Sequence, residues 1–426
     1  MKFASYWHDS AHPFANGHEG SVEGDVDVAV IGGGFTGLAA ALKLAKEGAS
    51  VAVLEAEHVG FGASGRNGGH LNNGIAHGYA SAKAHLGTDR AHALYHAYDR
   101  SIDMIEAIVE EEGIACDFRR SGKLKLASKA RHVVDLRANY ELIHREVDPD
   151  TRWLEKQELT GEIGSNAFHG AMLYEKSAMM HMGKYVVGLA DAACRHGTRI
   201  WEHAPVISRT KTATGWELAT PRGPLRATRV IAATGAYGTT PPLKAFRRRI
   251  VAVGSFLVAT RPLTKAEVAA TLPGNRTCVT SMNIGNYFRL SPDNRLIFGG
   301  RARFSSVSDQ TSDAKSGAIL RTSMAEIFPH LTDVDVDYCW GGLVDMTKDR
   351  FPRAGEMDGM IFGMGYSGHG AQMSTLVGSA LADMAMGRRS TNPLIGMDWP
   401  AVPALGGRQW FLPLVGLWFG LKDRLS

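Results

Sequence analysis

The chain has 426 residues, which is more than a single hydrophobic core usually organises, so two domains are expected. Hydrophobic residues make up 44% and charged residues 21% of the chain, as in a soluble globular enzyme and unlike a disordered or fibrous protein. The net charge is only +4, and the densest basic run, 247–249, has no accompanying aromatic ladder, so nucleic-acid binding is not expected.

The cysteines and the N-terminus indicate the cellular setting. Cys116, Cys194, Cys278 and Cys339 stand far apart and form no CxxC pair, which argues against a disulfide framework and against a metal site. The first residues lack the continuous apolar core of a signal peptide, so a cytoplasmic location is predicted. Residues 1–24 are polar and rich in His, Gly and Ser, and are predicted to form an extended arm.

The segment 25–37 combines a strand with a glycine turn. Apolar side chains over 26–31 predict a strand buried on both faces, and a GxGxxG motif follows at once. In a dinucleotide-binding unit Gly32 permits the tight turn and Gly34 lets a pyrophosphate approach the backbone, while Gly37 lets the helix pack close to the strand. The strand context therefore raises a weak motif to a specific one.

The next segment completes a strand–helix–strand unit. An apolar stripe over 38–47 predicts a helix that ends at Gly48, and residues 51–54 predict a second strand. Glu55 follows this strand and is placed to bind the hydroxyl pair of a ribose. The pattern predicts an α/β, Rossmann-like domain for either NAD or FAD.

A second glycine-rich loop, GASGRNGG at 62–69, is too polar for a core position. With this loop the segment 25–69 resembles the FAD-dependent amine and amino-acid oxidases of the D-amino-acid oxidase superfamily. Within that superfamily it is most similar to the γ-glutamylputrescine oxidoreductases, and the resemblance covers nearly the whole chain. It implies that the cofactor is FAD.

Downstream periodicity predicts further elements of both domains. They are a helix over 81–113, a segment over 118–127 that opens the second domain, helices over 129–146 and 182–196, a strand over 199–203, a small meander of 206–207 and 216–220, a strand over 229–233, an antiparallel set including 251–259, 287–290 and 295–300, and a helix over 371–387.

The resemblance implies a discontinuous domain organisation. It predicts an N-terminal arm at 1–24, an FAD-binding domain built from 25–80, 177–245 and 335–400, an α+β substrate domain with an antiparallel sheet built from 81–176 and 246–334, and a C-terminal apolar tail at 401–426.

The motifs and the resemblance together predict which residues contact FAD. The glycine loop before the 371–387 helix is expected at the flavin ring, Val206 is expected to meet the adenine, and Thr234 is equally explained as ordinary turn chemistry. The predicted set is Gly32, Gly34, Phe35, Thr36, Gly37, Glu55, Ala56, Gly62, Ser64, Arg66, Asn67, Gly68, Gly69, His70, Leu71, Val206, Ala233, Thr234, Gly235, Gly365, Tyr366, Ser367, Gly368, His369, Gly370 and Ala371.

Flavin amine oxidation needs no nucleophilic residue, because the cofactor accepts the hydride and the protein positions the neutral amine. His369 is predicted to orient substrate or take a proton, and the alternative is a turn histidine bound to backbone. His70 and Tyr287 are further catalytic candidates. Candidates for the substrate wall are Tyr287, Arg289, Arg301 and Trp340, with structural burial the alternative for the aromatic residues.

Departures from the family pattern refine these expectations. Gly342 stands near the place of the flavin-linking cysteine of sarcosine oxidases, so non-covalent FAD is expected. Ile297 aligns with their dioxygen-activating lysine, which leaves dioxygen or another electron acceptor open. Val344 aligns with the carboxylate-binding arginine of glycine and D-amino-acid oxidases, and Asp345 beside it is a candidate for holding an ammonium group instead.

The predicted activity is therefore oxidation of a C–N bond in an amine of polyamine or amino-acid breakdown, γ-glutamylputrescine included. One alternative is an amino-acid oxidase or dehydrogenase of the glycine, D-amino-acid or sarcosine type. The apolar run 410–421 is interrupted by Pro413 and is too short to span a bilayer, so packing on its own domain is favoured over membrane docking. A membrane-docked electron-transfer flavoprotein is the alternative from another class.

Overall fold

The computed structural model of the protein describes residues 1–76, 78–238, 240–304, 314–403 and 410–425, with the side chains of Arg301 and Arg424 outside the described part. Two large sheets dominate this part of the chain. One is mostly parallel and carries the dinucleotide motif, and the other is mostly antiparallel. This architecture confirms the predicted fold class.

The first sheet contains eight strands among the described residues. Its parallel strands are, in spatial order, Met360–Met364, Gly223–Ala232, Asp25–Ile31, Val51–Leu54 and Arg199–Trp201. Its antiparallel additions are Ser208–Lys211, Trp216–Thr220 and Arg353–Met357. Ala29, Val30 and Ala52 are fully buried, as expected of parallel strands covered on both faces. Because the carboxyl ends of parallel strands meet at one edge, Gly32 and Glu55 are brought together.

Three helices pack together beside this sheet. Phe35–Lys46 contacts both Met182–Arg195 and Gly370–Ala385. Gly378 makes the closest approach possible, since an added Cβ there would overlap the carbonyl oxygen of Thr36. The start of the helix Phe35–Lys46 is thereby held against the middle of the helix Gly370–Ala385, and a 2.7 Å hydrogen bond between the hydroxyls of Thr36 and Tyr366 joins it to the last glycine loop.

The second sheet has eight strands among the described residues. Their spatial order is Val336–Met346, Val251–Thr260, Leu296–Arg303, Tyr287–Leu290, Thr277–Thr280, Lys123–Leu126, Gly170–Tyr174 and Arg152–Glu155. All neighbours are antiparallel except Thr277–Thr280 and Lys123–Leu126. The predicted pairing of 287–290 with the strand that follows it is confirmed.

The remaining described elements are shorter or peripheral. The helices are Tyr6–Asp9, Tyr79–Leu86, Thr88–Glu111, His132–Glu146, Lys244–Arg247, Lys265–Thr271, Ala314–Ile327 and Leu412–Leu425. A small third sheet joins His70–Leu71, Ala178–Met179 and Arg119–Arg120, and 3₁₀ turns occur at Ala63–Gly65, Glu158–Gly161, Gly235–Tyr237, Pro241–Leu243 and Pro329–Leu331.

Several predicted boundaries differ from the structure. The helix predicted over 81–113 is divided at Gly87, whose φ of +83° interrupts helical geometry. The predicted meander is present, but its first strand is Ser208–Lys211, which pairs antiparallel with Trp216–Thr220; the N–H of Ile207 extends this pairing by donating to the carbonyl of Ala219. Val336–Met346 is hydrogen bonded in the second sheet, although the predicted segment 335–400 assigns it to the FAD-binding domain.

The N-terminal arm is more firmly packed than its polar composition predicts. It contains the short helix Tyr6–Asp9, in which Tyr6 and Trp7 are buried. The indole N–H of Trp7 donates a 2.6 Å hydrogen bond to the carbonyl of Asn67. The arm therefore supports the second glycine-rich loop from behind.

The C-terminal run forms the helix Leu412–Leu425, with Pro413 in its first turn, where proline is tolerated. Asp423 is buried and accepts hydrogen bonds from the backbone N–H groups of Asn283 and Ile284. Other positions along the helix expose apolar side chains: Leu414, Leu417, Trp418, Leu421 and Leu425. In the described part of the chain, no helix is long and apolar enough to cross a membrane.

Candidate active site

The dinucleotide motif has the geometry that its glycines require. Gly32 has a φ of +112°, and an added Cβ would lie 2.7 Å from the carbonyl oxygen of Ala233. An added Cβ at Gly37 would overlap the carbonyl oxygen of Gly32, so this glycine sets the close contact between helix and strand. Gly34 leaves the backbone accessible beside Ser64, whose hydroxyl accepts a 3.0 Å hydrogen bond from the N–H of Phe35.

Glu55 lies directly after the second parallel strand. Its carboxylate accepts hydrogen bonds from the N–H of Gly33 at 2.6 Å and of Glu57 at 2.9 Å. Burial raises the pKa of Glu55, and these two N–H groups oppose that rise. The carboxylate thereby couples the glycine turn to the second strand, at the position predicted for ribose recognition.

The loop 62–69 is held by its own polar side chains. Asn67 accepts a 2.8 Å hydrogen bond from the N–H of Gly69 and donates to the carbonyl of Ser64. The guanidinium of Arg66 donates to the carbonyls of Phe61 and Gly341. Burial lowers the pKa of Arg66. The loop is therefore ordered against the strand Val336–Met346 rather than being a free surface turn.

His70 and Tyr287 meet beside this loop. Their rings form an edge-on contact with 5.6 Å between centroids, and an added Cβ at Gly68 would lie 2.7 Å from the Tyr287 ring. Tyr287 shares a 3.2 Å hydroxyl contact with Ser255. Burial lowers the pKa of His70 to about 3, so the imidazole is neutral at physiological pH.

Two wall candidates have structural roles in the described geometry. Arg289 is 1% exposed and donates to the carbonyls of Gly69 and Met180. Trp340 is 1% exposed, and its indole N–H donates a 3.0 Å hydrogen bond to the carbonyl of Arg66. Both side chains support the loop 62–69 from outside the cavity. The side chain of Arg301, the third candidate, lies outside the described part.

Asp345 organises the last glycine loop. Its carboxylate accepts hydrogen bonds from the N–H of Gly365 at 2.6 Å and of Tyr366 at 3.1 Å, and its carbonyl accepts one from the N–H of Ser367 at 3.0 Å. Burial raises the pKa of Asp345 to about 6. Since each carboxylate oxygen already has a backbone partner, this geometry favours loop ordering over the predicted binding of an ammonium group.

His369 is the residue immediately before the helix Gly370–Ala385. Its Nδ1 is buried and has no hydrogen-bond partner among the described residues, and its ring lies 5.7 Å from that of Tyr98. Burial, with a contribution from Lys123, lowers the pKa of His369 to about 4. The imidazole is therefore neutral at physiological pH.

One cavity of about 790 Å³ joins these elements. Most predicted site residues line it: Gly32, Gly34, Phe35, Thr36, Glu55, Ala56, Gly62, Ser64, Arg66, Asn67, Gly68, His70, Val206, Ala233, Thr234, Gly235, Tyr287, Asp345, Tyr366, Gly368, His369, Gly370 and Ala371.

Five predicted FAD contacts lie behind this lining: Gly37, Gly69, Leu71, Gly365 and Ser367. Their backbone or side chains are used in packing. Leu71 is fully buried in the core, the carbonyl of Gly69 binds Arg289, and the N–H groups of Gly365 and Ser367 bind Asp345. These five residues shape the loops whose neighbours face the cavity.

Sequence reasoning did not identify several lining residues, namely Phe61, Asn72, Lys123, Lys125, Tyr174 and Tyr237. The alternation in Lys-Leu-Lys-Leu at 123–126 could have indicated Lys123 and Lys125, because the two leucines that alternate with them are fully buried. On a strand, alternate side chains face opposite ways, so the lysines share the other face. The tyrosines and Asn72 carry no comparable local pattern.

The chain's own residues fit FAD. The cavity extends from Glu55 and Val206, at the expected nucleotide end, to Tyr287 and His369 at the expected ring end. Bare backbone lines it at Gly34, Gly68 and other glycines, where side chains would fill the space. FAD would supply the hydride acceptor, and Glu55 and the two glycine loops are the residues predicted to hold it.

The fold and this cavity define a dinucleotide-binding oxidoreductase whose cavity is lined by residues of both sheets. The family model for FAD dependent oxidoreductases, DAO, matches residues 27–384. The chain belongs to this family, and FAD is its cofactor. The resemblance read from the glycine loops is confirmed, and the protein is an oxidoreductase of the amine- or amino-acid-oxidase type.

Relatives span the full architecture. The chain is 37% identical over 389 residues to the probable oxidoreductase OrdL of Haemophilus influenzae, covering 90% of this chain and 88% of that protein. It is 30% identical over 428 residues to γ-glutamylputrescine oxidoreductase of Escherichia coli, covering 99% of each. The crystal structure of glycine oxidase from Geobacillus kaustophilus shares the fold, with a TM-score of 0.76 at 24% identity over 90% of this chain and 100% of that chain.

Proposed function

We propose that this enzyme oxidises a C–N bond in an amine of polyamine or amino-acid breakdown, with γ-glutamylputrescine as the model substrate. The observation that carries the proposal is Val344, which lines the cavity where the resembling glycine and D-amino-acid oxidases have an arginine for the substrate carboxylate. A valine side chain cannot bind a carboxylate, so an α-amino acid held in that manner is disfavoured. The relationship to γ-glutamylputrescine oxidoreductase, over the whole length of both chains, agrees with this.

The reaction removes a hydride from the carbon beside a neutral amine and a proton from its nitrogen, and water then hydrolyses the imine to a carbonyl compound. Bound FAD would supply the acceptor for this hydride, and dioxygen or another acceptor would take up the two electrons. The neutral imidazole of His369 lines the cavity and is the group proposed to orient the amine or take its proton. His70 and Tyr287, packed against Gly68, limit the space available to the reacting carbon.

A substrate panel tests the proposal. Purified holoenzyme is mixed anaerobically with γ-glutamylputrescine, putrescine, glycine, sarcosine and D-alanine, and bleaching of the flavin absorbance is followed in a stopped-flow instrument. We expect rapid bleaching with γ-glutamylputrescine and slow or no bleaching with the amino acids. Rapid bleaching by glycine or D-alanine, with none by the amines, would overturn the proposal in favour of an amino-acid oxidase.

A second candidate, a flavoprotein that docks on a membrane surface and passes electrons to a partner, is favoured by one observation. The helix Leu412–Leu425 is attached to the rest of the protein through Asp423, and its side chains Leu417 and Trp418 remain exposed. Vesicle sedimentation of wild type against the double variant Leu417→Glu, Trp418→Glu tests it. A wild-type protein that stays in the supernatant and forms peroxide with an amine excludes this candidate.

A further inference from the structure

Two lysines of the second sheet face the cavity. Lys123 and Lys125 alternate along the strand Lys123–Leu126 with Leu124 and Leu126, which are buried in the apolar core of that sheet. Both lysines line the same cavity as the two glycine loops. The strand therefore presents one face to the core and two ammonium groups to the cavity.

The ammonium groups are held by carbonyl oxygens rather than by carboxylates. Nζ of Lys123 donates a 2.5 Å hydrogen bond to the carbonyl of Asn73 and lies 3.8 Å from the centroid of the Tyr174 ring. Nζ of Lys125 donates a 3.0 Å hydrogen bond to the carbonyl of Thr280. Among the described residues neither lysine forms an ion pair, so each ammonium keeps donors for a further acceptor.

Acidic side chains compensate the charge of Lys123 only in part, since Asp99 and Asp148 favour its charged form but do not outweigh the effect of burial on its pKa. Burial lowers the pKa of Lys123 to about 7 and that of Lys125 to about 8, and each has a cationic neighbour that adds to the effect. The carboxylates of Glu55 and Asp345, which also line the cavity, are engaged by backbone N–H groups. Keeping both buried lysines charged near neutral pH costs free energy, and an anionic group placed between them would favour their ammonium forms.

We propose that Lys123 and Lys125 form a subsite for a carboxylate of the substrate that is remote from the carbon being oxidised. This inference rests on the proposed amine oxidation and narrows the substrate to amines that carry a distant anionic group. It assigns to the strand Lys123–Leu126 the carboxylate recognition that Val344 cannot provide.

Strand register gives the separation between the two ends of such a substrate. Lys125 pairs with Val279, and Val279 pairs with Tyr287 on the next strand. Neighbouring strands are about 4.8 Å apart, so the Cα atoms of Lys125 and Tyr287 are about 10 Å apart. The ring of Tyr287 packs against the loop at Gly68. We therefore expect the subsite to favour a carboxylate at the far end of an amide-linked chain over one on the reacting carbon itself.

Two amides of putrescine test the subsite on the wild-type enzyme. N-glutarylputrescine and N-pentanoylputrescine have the same chain length, but the first ends in a carboxylate and the second in a methyl group. We expect kcat/KM to be about 10- to 100-fold higher for the glutaryl amide, the range for hydrogen bonds to a charged group. Equal values, or a preference for the pentanoyl amide, would overturn the carboxylate subsite and leave amine oxidation standing.

Glutarate binding, measured by titration calorimetry without turnover, separates the subsite from the reaction. We expect Lys125→Met to bind glutarate at least tenfold more weakly and to lose the preference between the two amides, while Lys125→Arg retains both. The matched control is Lys211→Met, which removes a lysine from an exposed strand position. If wild type binds glutarate, Lys125→Met does not, and neither amide is oxidised, the subsite is supported and the amine function is overturned. If wild type neither binds glutarate nor oxidises either amide, both proposals are overturned.

Discussion

The carboxylate of Asp345 accepts a 2.6 Å hydrogen bond from the N–H of Gly365, and so ties a strand of the second sheet to the last glycine loop. Its other oxygen accepts from the N–H of Tyr366. In Asp345→Asn the amide offers one acceptor, and its NH₂ faces one of these donors. We expect the dissociation constant of FAD to rise about tenfold, because an unpaired buried N–H costs about 1–3 kcal/mol. Flavin fluorescence on dilution measures it.

The exposed carboxylate of Asp333 gives a matched control, and Asp333→Asn should bind FAD as wild type does. A pH series adds a second readout, because the pKa of Asp345 is raised to about 6. Below that pH the protonated carboxyl keeps one good acceptor, so the FAD affinity of wild type should fall as pH drops through 6. Asp345→Asn should lack this step. The same step in the variant would assign the titration to another group.

Gly37 is the position where a single methyl group should separate the helix Phe35–Lys46 from the first strand. An added Cβ overlaps the carbonyl oxygen of Gly32 and lies 3.0 Å from Val30. We expect Gly37→Ala to lower the free energy of unfolding by about 1–3 kcal/mol, the usual cost of overpacking, and to weaken FAD binding. Gly161→Ala is the control, since nothing lies within 4 Å of its added Cβ. Urea unfolding of both apoproteins measures the difference; equal stabilities would refute the close contact.

The dinucleotide half of the site could be predicted because its information is local. Gly32, Gly34, Gly37 and Glu55 lie within 24 consecutive residues, and a strand–turn–helix–strand pattern fixes their spatial relation. The glycine loop at 365–370 was found for the same reason, since it precedes a strongly periodic helix. In each case the residues that define the geometry are also neighbours in sequence.

The substrate half could not be predicted, because it depends on sheet order. The alternation at 123–126 indicates a strand, but only the pairing of Lys125 with Val279, more than 150 residues away, turns the lysine face toward the cavity. Burial of Trp7 likewise depends on a contact with the loop at Asn67 rather than on any periodicity of the arm. The sequence identifies Asp345 only as a charged residue near the cavity, because its loop-ordering role depends on two strands from different sheets lying next to each other.

Attachment of FAD is predicted to be non-covalent. None of the four cysteines, all of which the structure describes, lines the cavity. Cys339 is fully buried in the apolar core of the second sheet, while Gly342 and Leu343, further along the same strand, face the cavity. After precipitation with acid, all yellow colour should appear in the supernatant. Colour retained in the pellet would show a covalent link and would contradict the prediction.

The last prediction concerns His369, whose neutral imidazole and partnerless Nδ1 lie in the loop before the helix Gly370–Ala385. If the ring orients the amine or takes its proton, His369→Ala should slow flavin reduction by about 10²-fold, the lower end of the range for a positioned acid–base group, with FAD still bound. Stopped-flow reduction by γ-glutamylputrescine, after reconstitution with FAD, measures the rate.

The alternative is that His369 has only a structural role in the turn. The edge-on packing of its ring against Tyr98 supports this alternative. Loss of that packing should loosen the loop, so FAD affinity and thermal stability would fall while the remaining holoenzyme reduced its flavin at the normal rate. Tyr98→Leu provides the matched control, because it removes the ring contact and keeps the imidazole. A His369→Ala enzyme that reduces its flavin as fast as wild type rules out the chemical role, whatever its stability.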